Sequence, residues 1–174
     1  KELGITTLVE SGRVNDLVPA LALGGLTRGI TPLEMAAAYA TFANNGIYVE
    51  PIGIVRVEAH DGTVLDEPRP DRRVVLSEQA SYLINDMLRG VIEAPHGTGR
   101  AAAGLGRPAA GKTGTSQGDT NAWFVGYTPD LVTSVWIGND QQSQPLDFGS
   151  RRAVEIWTEF MAQALADQPP RWFE

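Results

Sequence analysis

Cysteine is absent from all 174 residues. That excludes disulfides, thiolate metal sites and a cysteine nucleophile. Lysine is almost absent as well: Lys1 and Lys112 are the only two, and the remaining positive charge is arginine. With a net charge of -7, the chain lacks the clustered basic surface that phosphate backbones require, so no nucleic-acid partner is expected. The arginine pairs Arg72-Arg73 and Arg151-Arg152 read as solvated surface. His60 and His96 are the only two histidines, and neither has Asp, Glu or Cys grouped at ligand spacing, so no metal site is expected. No apolar run is long enough to span a bilayer, and no signal peptide is evident. The balance of 43% apolar and 20% charged residues is that of a globular chain.

Local patterns supply the elements. In "TPLE", Thr31 can cap a helix, Pro32 suits its first position and Glu34 completes a capping box. Met35, Ala36, Tyr39, Phe42 and Ala43 come next at helical spacing, and Asn44-Asn45-Gly46 stops the run. "IGIVRVEAHDGTVLDE" alternates and contains an Asp61-Gly62 turn, which predicts a hairpin. "DEPRPDRR" reads as an exposed link. A second helix is predicted from the cap Ser77 to about Glu93, with Tyr82, Leu83, Met87, Leu88 and Val91 as its apolar stripe and Pro95 as its stop. "PHGTGRAAAGLGRP" reads as a loop. Three strands are predicted beyond it, over 109–115, 122–127 and 131–137, the last two joined by a Thr128-Pro129-Asp130 turn. Their nearly continuous apolar runs predict a sheet covered on both faces. A final helix over 152–166 would bury Val154, Ile156, Trp157, Phe160, Met161 and Leu165, and residues 167–174 form a tail. Lys1 to Gly4 reads as the last turn of a helix, which leads to the expectation of more chain upstream.

One stretch, "GRPAAGKTGTSQG", carries two incompatible patterns. Gly106-x-x-x-x-Gly111-Lys112-Thr113 formally matches a phosphate-cradling loop. Such a loop needs a strand before it and a helix after it, so that N–H groups converge on the phosphate. "RAAAGL" is poor strand material, and "TGTSQGDTN" is a poor helix start. Asp140 is an unconvincing partner for a metal-bound phosphate. Lys112-Thr113-Gly114-Thr115 instead matches the K-T-G signature of serine acyl-transfer enzymes, in which a strand offers its edge to an extended substrate. A lysine there supplies fixed positive charge, the threonines supply hydroxyls and a glycine permits close approach.

The bare triplet is weak, and its surroundings decide. "GKTGTSQGDTNAWFVGYTPDLVTSVWIGND" resembles the class A penicillin-binding proteins, bifunctional enzymes of peptidoglycan synthesis. "LALGGLTRGITPLEMAAAYATFANNGIY", "GTGRAA" and "IWTEFM" resemble other segments of the same family. The likeness runs from about Ala20 to Met161. Asn121 departs from the family's commoner Asp, and Val154-Glu155 from its commoner Ala-Pro.

The resemblance implies an α+β fold: an antiparallel sheet with helices on both faces, part of the penicillin-binding (serine β-lactamase-like) transpeptidase fold. Residues 1–166 would be the C-terminal portion of the transpeptidase domain and 167–174 its tail. It implies Lys112, Thr113, Gly114 and Thr115 as site residues, with Thr113, Thr115 and Ser116 contacting substrate, and no cofactor. It implies D-Ala-D-Ala stem peptides and β-lactams as ligands and the extracytoplasmic face of the bacterial inner membrane as location, with a glycosyltransferase domain and anchor upstream. The family also uses S-x-x-K and S-x-N motifs. Neither occurs here. Ala109 stands three before Lys112, and no asparagine has serine two positions before it. The nucleophile therefore lies elsewhere, and the chain alone is expected to be inactive. Its expected partner is the missing N-terminal part of the domain, carried on another chain or upstream on this one. A non-catalytic interaction module of the same fold remains the alternative. Ser116 could be a turn residue, Trp123, Phe124 and Tyr127 core, and Asp119 and Asp140 surface or capping groups.

Overall fold

The computed structural model describes residues 1–139 and 144–173. Helix α1 (Pro32–Ala43) begins where its signals place it, with the reciprocal capping box formed by Thr31 and Glu34. Glu34 does more than cap. Its carboxylate accepts hydrogen bonds from Thr6 N at 2.8 Å and Thr6 Oγ1 at 2.7 Å, as well as from Thr31. It thereby ties the N-terminal segment to the start of the helix. Burial pushes this carboxyl up, but the donors of Thr6 and Thr31 outweigh it and hold it at about 2, against an ordinary 4.5. A carboxylate depressed in the folded state stabilises above its unfolded value and loses that contribution as pH falls towards the folded one. Urea midpoints should therefore drop between pH 4.5 and about 2, and Glu34→Gln should flatten that drop. An unchanged acid limb in the variant would contradict the assignment.

Two small antiparallel pairs come next. Strand β1 (Ile47–Val49) pairs with β4 (Arg72–Val74), and β2 (Val57–Glu58) with β3 (Val64–Asp66) around the Asp61-Gly62 turn. The expected link over 66–73 is thus strand at its end. Arg73 is not simply solvated: its guanidinium lies 4.2 Å over the Tyr48 ring and pairs with Asp71 at 2.9 Å. An arginine can serve a strand because its planar head stacks on an aromatic face while its charge stays wet.

The central sheet is an antiparallel meander, β5 (Ala110–Thr115), β6 (Asn121–Tyr127) and β7 (Val132–Gly138), in that order. Strand alternation divides its side chains. Phe124 faces α3 (Arg151–Ala164), its ring 5.2 Å from Trp157 at 80°. Tyr127 faces the other way, 6.3 Å from Tyr39 of α1, and donates its hydroxyl to Asn85 of α2 (Glu78–Glu93) at 2.6 Å. Helices therefore cover both faces, as the apolar strands predicted. The main core joins Phe124, Ile92, Ala102, Ala153, Val154, Trp157, Met161 and Leu165. The outer edge of β7 pairs with no strand among the described residues, and α1 packs against that strand.

Both long helices bury a narrower stripe than their apolar residues predict. In α3, Val154, Trp157 and Met161 are buried, as is Leu165 just past its end, but Ile156 and Phe160 are 40% and 51% exposed. Each stands one position, about 100° round the helix, from a buried residue, Trp157 or Met161, and on the side away from the rest of the row. In α2 the buried positions are Ser81, Asn85 and Ile92, whereas Tyr82, Leu83 and Met87 are at least 60% exposed. The loop expected after Pro95 contains a 3-10 helix, Arg100–Leu105, that packs under α3. Residues past α3 fold back over the sheet, with Phe173 edge-on to Tyr127 and Arg171 paired to Asp130.

Candidate active site

Strand β5 carries the K-T-G segment, and its pairing decides which groups point outward. Among the described residues it is bonded to β6 alone, in an unbroken register from Ala110 opposite Tyr127 to Thr115 opposite Ala122. Ser116 N donates to Asn121 O at 3.1 Å at the end of that register. Antiparallel pairs alternate between bonded and non-bonded. The backbones of Gly114 and Lys112 therefore turn to β6, and those of Thr113 and Thr115 turn to the outer edge. Helix α2 packs on β5, whose first residues Ala110 and Gly111 are buried, while Lys112 and Thr115 emerge into solvent.

The side chains sort differently. Lys112 lies on the face of Val125, and Thr113 on that of Phe124. Lys112 Nζ reaches back over the edge to Thr113 O at 2.8 Å. Thr113 Oγ1 lies 2.7 Å from Thr98 Oγ1. One stretch of edge thus combines an ammonium group, two adjoining hydroxyls and outward N–H groups on Thr113 and Thr115. Those N–H groups have no partner among the described residues.

Ser116 closes the hairpin. Its Oγ accepts from Asn121 N at 2.9 Å and shares a 2.9 Å hydrogen bond with Thr120 Oγ1. Asn121, where the resemblance breaks, uses its side-chain oxygen to take the Trp136 indole N–H at 2.9 Å. No base contacts Ser116 among the described residues, and its hydroxyl serves the turn. Asp119 sits in the same exposed turn with φ 54°, and Asp140 lies outside the described residues. Trp123 is half-buried, while Phe124 and Tyr127 are core. Burial pushes the Tyr127 phenol well up, and neighbouring Tyr39 adds to this. His60 and His96 are both exposed in turns, and no group able to hold a metal occurs among the described residues.

The phosphate-loop pattern has no cradle here. Lys112 lies inside a strand, and the chain after it makes a hairpin turn rather than a long helix. Gly111 has a different purpose: a Cβ there would lie 2.7 Å from the Phe124 ring and 2.8 Å from Val125 O. It is the residue that lets β6 and its phenylalanine close over β5. Two concavities lie away from this edge. One is the seam between α1 and the β6–β7 turn, lined by residues such as Ala40, Ile47 and Pro129; the other is an open groove beside Tyr82 and Leu83. Neither gathers a hydroxyl, an amine and outward N–H groups as the open ledge of β5 does.

Sequence reasoning missed two polar residues. Asn85 bridges α1 and the sheet, donating to Phe42 O at 3.0 Å while accepting from Tyr127. Thr98 was visible only as part of a "GTG" triplet. Two glycines flanking a lone threonine were the available signal, because they bring that side chain close to neighbouring backbone.

Comparison with known proteins agrees with this fold. Residues 9–162 match the family model described as penicillin binding protein transpeptidase domain. Penicillin-binding protein 1A of Clostridium acetobutylicum is 44% identical over 84% of this chain and 18% of its own length. That of Aquifex aeolicus is 36% identical over 99% of this chain and 24% of its own. The chain thus spans about a fifth to a quarter of these relatives. Among solved structures, the penicillin-binding protein PonA1 from Mycobacterium tuberculosis superposes with a TM-score of 0.82 at 30% identity, over 99% of this chain and 50% of that one. The same protein is known in complex with penicillin V. Fold and family match agree, and this chain belongs to the penicillin-binding protein transpeptidase domain family.

Proposed function

We propose that this chain forms one wall of the active site of a peptidoglycan D,D-transpeptidase whose serine nucleophile lies outside it. The observation that supports this best is the outward edge of β5. There Lys112, the Thr113 hydroxyl and the Thr115 N–H share one accessible stretch. An extended peptide laid along that edge would meet backbone groups in strand fashion. Its terminal carboxylate would take the threonine hydroxyls and the field of Lys112. The serine oxygen, losing its proton to a base, would attack the carbonyl of the penultimate D-Ala and expel the terminal D-Ala. The acyl group would then pass to an amine of a neighbouring stem peptide, freeing the serine. The outward Thr115 N–H would donate to the carbonyl oxygen as it gains charge, and such a donor contributes about 3–4 kcal/mol in comparable sites. A β-lactam would acylate the same serine and remain attached. Gly114 keeps the middle of the ledge free of a side chain.

On this reading the reaction occurs outside the cytoplasm, on an enzyme held by a segment other than these helices. None of the helices among the described residues is long and apolar enough to cross a membrane. The remaining part of the domain is the partner that completes the site. The test is covalent labelling. The 174-residue chain alone should gain no mass with a fluorescent penicillin. The complete domain should label once, on a serine outside these residues. Labelling of the isolated chain would overturn the division of the site. An unlabelled complete domain would favour a non-catalytic interaction module.

A further inference from the structure

The loop that carries Thr98 is held without slack. Gly97 N donates to Ala94 O at 2.9 Å, and a Cβ at 97 would lie 2.2 Å from Val91 O. Gly99 N donates to Val91 O at 3.0 Å, and a Cβ there would lie 3.1 Å from the Phe124 ring. Between these two contacts the backbone rests directly on the end of α2 and on the underside of the sheet. The Thr98 side chain is left standing at the edge of β5, exposed, with Oγ1 2.7 Å from Thr113 Oγ1.

Each of these hydroxyls has one proton and can accept more than one hydrogen bond. Thr113 cannot give its proton to Thr98 and to a ligand at once. If Thr98 donates to Thr113, the Thr113 proton is released towards the edge, and the accepted bond makes it a better donor. We propose that Thr98 is a positioning residue that aims the Thr113 hydroxyl at the carboxylate of the acyl donor. The ligand class is a peptide C-terminal carboxylate or the equivalent carboxylate of a bicyclic β-lactam. The inference rests on the proposed function of this edge and adds a residue from outside the K-T-G strand.

The experiment uses the complete transpeptidase domain and two probes, benzylpenicillin and its methyl ester, which differ only in the carboxylate. The readout is the second-order rate of acylation. Thr98→Val keeps the shape and removes the hydroxyl. It should slow the free acid about tenfold, as expected for one hydrogen bond to a charged group, and leave the ester within about twofold. Thr98→Ser should restore the acid. Thr98→Ala serves as a second hydroxyl-free variant should the valine fold poorly. Equal slowing of both probes, no slowing of the acid, or no rescue by serine would each overturn the proposal by showing the bond to be a mere loop latch. Failure of the unsubstituted domain to react with either probe would instead overturn the proposed function, and this inference with it.

Discussion

In the complete domain, Lys112→Ala should slow penicillin acylation by about a hundred- to a thousandfold, the range for losing one preorganised charge or donor at an acyl-transfer site. Stability should hardly change. Lys112 is exposed, and its ammonium group takes one acceptor among the described residues, the carbonyl of Thr113 at 2.8 Å. No ion pair among those residues includes it. Its removal strands no buried charge and opens no cavity, so the expected stability change is within about 0.5 kcal/mol. The combination is diagnostic, because a large rate loss with an unmoved urea midpoint cannot come from unfolding. Lys112→Arg should fall between, since it keeps the charge but replaces a compact ammonium by a planar fork that cannot occupy the same point. An alanine variant that acylates at the original rate would end the assignment of this edge to catalysis.

Much of the architecture could be read from local chemistry, and the misses share a cause. Thr31, Ser77 and the Thr128-Pro129-Asp130 turn act through atoms a few residues away, so their signals survive in one dimension. Which flank of a helix is covered is a tertiary decision. The apolar run of α2 pointed to Tyr82, Leu83 and Met87, yet the sheet takes Ser81, Asn85 and Ile92. Asn85 is worth burying because Tyr127 and the end of α1 supply both of its partners, which satisfies a group that would otherwise be costly. No pattern along the chain announces an acceptor 43 positions away. In α3 the expected burial of Ile156 and Phe160 likewise treats a wide stripe as fully covered, where the sheet and the 3-10 helix meet only the row through Trp157. The candidate site was legible in part. The identity of the K-T-G strand came from its flanking motifs. Its outward backbone at Thr113 and Thr115 depended on register, and Thr98 depended on a loop folding back by 15 residues.

Trp157→Ala should have the largest effect on stability, about 3–5 kcal/mol by the range for large-to-small aromatic changes in cores. The indole is fully buried, edge-on to Phe124 at 5.2 Å, and its N–H donates to Gly126 O at 3.0 Å. It both fills the space between α3 and the sheet and bonds the sheet's backbone. Gly126 fits it closely, since a Cβ there would lie 2.6 Å from the ring. Domains are stable by only about 5–15 kcal/mol, so the alanine variant should show a sharply lowered urea midpoint and poor soluble yield. Trp157→Phe keeps an aromatic body and drops the hydrogen bond, and should cost about 1–3 kcal/mol. The activity consequence differs in kind from that of Lys112. Phe124 backs Thr113 from the neighbouring strand, so loosening its packing would blur the ledge without removing any of its groups. Acylation by the alanine variant should therefore recover when the fold is rescued by lower temperature or a stabilising osmolyte, whereas Lys112→Ala should not respond. A Trp157→Ala domain destabilised by less than about 1 kcal/mol would show that this core tolerates a cavity and that α3 is not what holds the sheet in shape.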